Sequence, residues 1–72
     1  MNLLIFRTDI KSKKKVKAVK ELFNKHPIIT NWSIDLEDID NVLKIEAHDD
    51  LKEKDLIYML KTCGFYGEIL RD

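Results

Sequence analysis

One cysteine, one proline, two glycines and no long apolar run: this chain of 72 residues is short of most residue types that carry conspicuous chemistry. The single thiol, Cys63, cannot close an internal disulfide, so packing must hold the fold together, and a reducing compartment fits. No stretch approaches the roughly 18 consecutive apolar residues of a membrane-spanning helix. Met1 to Arg7 has too short an apolar run, and no basic start, for a secretory signal. A Gly-rich phosphate loop, a catalytic-triad pattern and a strong acid–base pair are all missing. These absences point away from an enzyme and a membrane protein, and toward a cytoplasmic location.

What is present is evenly spread aliphatic sequence, which gives a packed domain rather than a disordered tail. Residues 1–72 are expected to form a single domain. Its core must be small, because a chain of this length buries only about 60% of its unfolded surface.

Net charge is zero, with 13 Lys/Arg and 13 Asp/Glu, but its distribution is lopsided. Residues 1–34 hold eight Lys/Arg against Asp9 and Glu21; residues 35–72 hold five against eleven Asp/Glu. A nucleic-acid binder would be uniformly basic, and the acidic second half repels phosphate. Either the two halves neutralise each other or the basic segment docks an acidic partner.

Asn2 to Thr8 is a short apolar run that reads as a strand buried on both faces. Ser12 is placed as the N-cap of a helix to about Lys25. Val16, Val19, Leu22, Phe23 and His26 recur there at three- and four-residue steps, and lysine fills most other positions. Pro27 ends it. Trp32, Ile34 and Leu36 alternate with polar residues, as do Leu43, Ile45 and Ala47, giving two half-buried strands around a polar hairpin at Glu37–Asn41. Asp50, with Glu53 three residues on, reads as a capping box for a second helix that carries Leu56, Met59, Leu60 and Cys63 inward and ends at Gly64. Phe65 to Leu70 supplies the last strand. The order predicts an α+β, ferredoxin-like βαββαβ sandwich: a four-stranded antiparallel sheet with two helices on one face.

Val16, Val19 and Leu22 on the first helix, Trp32–Leu36 and Leu43–Ile45 as paired strands, and Leu60-Lys61-Thr62-Cys63-Gly64-Phe65 as a helix ending in Gly and an aromatic residue carry a resemblance. The chain resembles the heavy-metal-associated domain of copper chaperones and metal-pumping ATPases. That family's motif is Met-x-Cys-x-x-Cys at the first strand–helix junction. Counting back from Val16, Arg7 stands at the methionine position, and Asp9 and Ser12 stand at the cysteine positions. Paired thiolates suit Cu(I); a carboxylate and a hydroxyl are hard ligands that do not. The resemblance therefore implies the fold and a non-enzymatic interaction or regulatory module, with no cofactor expected.

The alternative is a divergent metal carrier or sensor built on non-standard ligands. Asp9, Ser12 and Cys63 are the candidates, together with the hairpin carboxylates Glu37, Asp38 and Asp40. Cys63 also reads as a small buried apolar residue. His26 and His48 beside Asp49 and Asp50 form a second candidate set, at the other end of the sandwich, for Zn²⁺. For partner contacts two surfaces are expected: the cationic helix face with Lys13, Lys14 and Lys17 (joined by Lys20 and Lys25), and an outward apolar patch of Leu4, Phe6 and Tyr66 on the sheet's open face, for a protein partner or a homodimer.

Overall fold

Six elements follow in the expected order: β1 (Asn2–Thr8), α1 (Lys13–Asn24), β2 (Ile29–Ile34), β3 (Leu43–Ala47), α2 (Glu53–Thr62) and β4 (Gly67–Ile69). They come from a computed structural model that describes residues 2–48 and 51–70. The strands form one antiparallel sheet in the order β2-β3-β1-β4. Phe6, Leu43, Ile45 and Ala47 of the sheet share one core with Val19 and Phe23 of α1 and Leu56 and Leu60 of α2. Both helices therefore cover the same sheet face, and the other face is open. This is the ferredoxin-like fold.

The first helix forms where its spacing and cap place it. Ser12 Oγ accepts the Lys15 N–H at 3.2 Å, and Phe23 meets Trp32 of β2 edge-to-face with ring centroids 5.2 Å apart. The second helix starts later than expected. Lys52 is its cap residue, and the Lys52 N–H donates to the Asp55 carboxylate at 3.1 Å. Asp50 lies outside the described residues. The helix closes on a Schellman turn: Gly64 takes φ +82°, its N–H donates to the Lys61 carbonyl, and the Phe65 N–H donates to the Leu60 carbonyl.

The facing of β1 reverses the expectation. Phe6 is fully buried and Leu4 packs against the core, while Leu3 is 58% exposed. Pairing is the cause. Phe6 lies opposite Leu43 on β3 and Ile69 on β4, both core-facing, and Leu4 lies opposite Ile45. Cross-strand partners share a face, so Leu3, Ile5 and Arg7 point outward. Neither Leu4 nor Phe6 belongs to the open face, and β1 is not buried on both sides. Strand β2 also begins earlier than expected, at Ile29, with an irregularity at Thr30 that offsets its register.

At Gly67 a Cβ would stand 2.5 Å from Cδ1 of the fully buried Leu60. Gly67→Ala is expected to destabilise the protein by about 1–3 kcal/mol through overpacking. Gly64→Ala meets open space and is expected to cost only the left-handed backbone penalty, about 1 kcal/mol. Urea unfolding of the two variants checks the order; Gly67→Ala as stable as wild type would contradict this packing.

Candidate functional site

The β1–α1 junction, the β2–β3 hairpin and the α2–β4 turn meet at one end of the sheet, because β1 ends where β3 and β4 begin. Thr8 ties the first two together. It is buried; its N–H donates to the Asp40 carbonyl at 3.0 Å, and its hydroxyl donates to the Asn41 carbonyl at 2.7 Å. The same hydroxyl oxygen accepts the Ile10 N–H at 3.3 Å. Asn41 is buried at φ +44°, a conformation asparagine tolerates better than most residues, and this aims its carbonyl at Thr8.

Asp9 and Ser12, which the resemblance sets at the family's cysteine positions, are both engaged. Asp9 Oδ1 accepts the Tyr66 N–H at 2.8 Å, joining the junction to the α2–β4 turn. Ser12 is spent on the α1 cap. Between them Ile10 is fully exposed to the core and not to solvent, at 0% exposure. The loop is thus a plug with two polar ties. Arg7, at the methionine position, pairs through Nε with Asp40 Oδ1 at 3.1 Å.

Of the hairpin carboxylates, Asp38 accepts the Asp40 N–H in a local turn and Asp40 pairs with Arg7, while Glu37 is exposed and only its N–H is used, donating to Asp35. Cys63 is the half-buried C-cap of α2, less enclosed than the core position expected of it. Among the described residues no group of three or more His, Cys, Asp or Glu is arranged to hold a metal ion. His26 and His48 belong to neighbouring segments, joined by the His48 N–H donating to the Ile28 carbonyl at 2.8 Å. Nδ1 of His26 is buried without a partner, and His48 is exposed. Asp49 and Asp50, expected beside them, lie outside the described residues.

Tyr66 is 54% exposed on the open-face side, and its hydroxyl donates to Glu68 Oε2 at 2.7 Å. That hydrogen bond raises the phenol above its ordinary value, helped by desolvation and the Glu68 charge and opposed by Arg7. Lys11, Lys13, Lys14, Lys15, Lys17, Lys20 and Lys25 are all exposed, and among the described residues none is ion-paired with a carboxylate. Neutralisation between the halves of the chain is thus made by contact at Arg7–Asp40 and not along α1. Three of these lysines occupy the first turn of α1, which contains no acid, whereas α2 has Glu53 and Asp55 there. Cations at a helix N-terminus oppose the backbone dipole, so local stability does not explain the cluster.

No family profile and no curated protein matches the sequence. Solved structures do match in shape. A structure of the Atx1–Cu(I)–Ccc2a complex has a chain that superposes with TM-score 0.85 at 18% identity, covering 100% of this chain and 99% of that one. The yeast copper transporter domain Ccc2a, solved in apo and Cu(I) states, gives 0.82 at 18% identity with the same coverage. A third, from work on crosstalk between Cu(I) and Zn(II) homeostasis, gives 0.82 at 8% identity, covering 97% of this chain and 100% of that one. At these identities the likeness is one of fold.

Two outcomes follow for the ties. Asp9→Ala and Ser12→Ala are each expected to cost about 1 kcal/mol, the first by freeing the Tyr66 N–H and the second by uncapping α1; unchanged unfolding midpoints for both would mean the ties contribute nothing. The Tyr66 phenol, raised on folding, adds stability that is fully present below the unfolded tyrosine value of about 10 and is lost as pH rises through the folded value. Tyrosinate absorbance in a Tyr58→Phe background should show a late transition that moves to lower pH in Glu68→Gln.

Proposed function

We infer that this chain is a non-enzymatic interaction module on a metallochaperone-type scaffold, in which the junction loop serves as a structural joint and the lysine face of α1 docks an acidic protein surface. The observation that carries the reading is the commitment of Asp9 and Ser12 to backbone N–H groups of Tyr66 and Lys15. Both are hard oxygen ligands, each anchored by one backbone N–H, and Cys63 is the one thiol in the sequence. On this reading the loop, which holds no thiol, does not transfer Cu(I). The likeness in shape to a structure in which Atx1 and Ccc2a form a complex supports a protein as partner.

Charge carries the choice of an acidic partner. Seven exposed lysines lie on or beside α1 with only Glu21 among them. They are solvated and unpaired, so a carboxylate-rich surface gains them without first breaking internal ion pairs. Interactions of this kind steer association and fade with salt.

The test has two arms. Apo protein titrated with Cu(I) or with Zn²⁺, followed by amide NMR, is expected to show no stoichiometric uptake, while Asp9→Cys/Ser12→Cys gains Cu(I) binding on the same scaffold. Tight uptake of one equivalent by the unmodified protein would sink the structural-joint reading. Titration with a poly-glutamate peptide is expected to shift amides of Lys11–Lys25 at low salt, the shifts vanishing as salt rises. Lys13→Glu/Lys14→Glu should abolish those shifts yet raise stability by about 0.3–1 kcal/mol per site, since acids in the first turn favour the dipole. Shifts spread elsewhere, or a loss of stability in that variant, would contradict the assignment of the surface.

A further inference from the structure

The open face of the sheet carries a pattern that goes beyond the α1 surface. Beside the row of Arg7 and Glu68, its outward residues include two adjacent rows set by the strand register. One row runs Asn31, Glu46, Leu3 across β2, β3 and β1; the next runs Ser33, Lys44, Ile5. Position by position the rows complement each other: amide against hydroxyl, acid against base, aliphatic against aliphatic. Leu3 is 58% exposed, and Asn31, Ser33, Lys44 and Glu46 are exposed. Ile5 is half-buried, and neither it nor Leu3 packs against the core. Leu3, Asn31, Ser33, Lys44 and Glu46, with Trp32, line a shallow depression of about 280 Å³.

We propose that this face is the interface of a homodimer, formed by a second copy of the chain related by a twofold axis that lies across the strands between the two rows. That single operation lays each row on the other row of the second copy. Lys44 meets Glu46 of the second copy twice, and Leu3 meets Ile5 of the second copy twice. An isologous contact requires such self-complementarity, in which residue i meets j and j meets i. The charges of these two rows cancel within the face, so a copy of the same surface is accepted where a strongly acidic or basic partner is not. Sheets packed face to face sit about 10 Å apart, a spacing that aliphatic side chains from both sides fill.

At the residue density of a standard interface the six positions per copy cover roughly 200 Å² a side, well below its roughly 800 Å². The dimer is therefore weak and exchanging.

Sedimentation equilibrium and an amide NMR dilution series of the whole chain test this. Dimerisation is expected, with concentration-dependent shifts at Leu3, Ile5, Asn31, Ser33, Lys44 and Glu46 and none along α1. Lys44→Glu alone and Glu46→Lys alone should each weaken association about tenfold, because both symmetry-related pairs become repulsive. The double exchange, Lys44→Glu with Glu46→Lys, should restore it. Lys44 and Glu46 are exposed, and thermal unfolding is the check that each variant is folded. Leu3→Glu should abolish the dimer while leaving poly-glutamate shifts on α1 intact, and Lys13→Glu/Lys14→Glu should leave the dimer intact. A chain monomeric up to about 1 mM overturns the proposal. So does a dimer that the double exchange fails to restore, or one whose shifts fall on α1.

Discussion

Everything at the working end of this fold depends on closing the sheet where β1 runs out. The chain leaves the sheet at Thr8 and must reach α1 without leaving backbone groups buried and unpaired. It solves this with one hydroxyl. Thr8 Oγ1 donates to Asn41 and accepts from Ile10, so a single buried side chain fixes the junction to the hairpin and turns Ile10 into the core. Asp9 then fastens the α2–β4 turn to the same point. With the three loops tied together, the ends of β1, β3 and β4 are held in register and the packing of Phe6, Leu43 and Ile69 follows.

This closure bears on chemistry. A loop that must bind and release a soft metal needs ligands without other obligations. Here one oxygen of the carboxylate is held by Tyr66 and the hydroxyl by the first turn of α1, so both side chains are anchored by contacts that support the fold. A net contribution of about 1 kcal/mol per hydrogen bond is small singly, but a domain of this size has little stability to give away. The end of the sandwich is accordingly better suited to rigidity than to exchange.

Local patterning made much of this legible in the sequence. Ser12 with the Val16, Val19 and Phe23 spacing gives α1, the alternation of Leu43, Ile45 and Ala47 gives β3, and Gly64 gives the end of α2. The facing of β1 was not legible, because Leu3-Leu4-Ile5-Phe6 is apolar at every position and carries no parity. Only the partner strands choose between the two faces. Ile10 is an isolated aliphatic residue in a polar loop, and its burial is set by Thr8 and not by any period. The Asp9–Tyr66 tie spans 57 positions, beyond any local signal. The residues at the cysteine positions could be located by counting from Val16, but what they do there is a matter of tertiary contact.

The fold separates its two surfaces in a way that lets them act together. The helices cover one face of the sheet and leave the other bare, so the lysines of α1 and the rows centred on Leu3, Lys44 and Glu46 look in opposite directions. A pair of chains joined back to back through their open faces would present two cationic helices outward. Each lysine face alone would make exposed, salt-screened contacts of modest strength. Two of them on one particle turn the second contact into an intramolecular event, and weak faces then combine into appreciable avidity toward an acidic surface that repeats. A modest dimer would be an advantage in such a system, because its dissociation would release the partner without any change in the α1 surface itself.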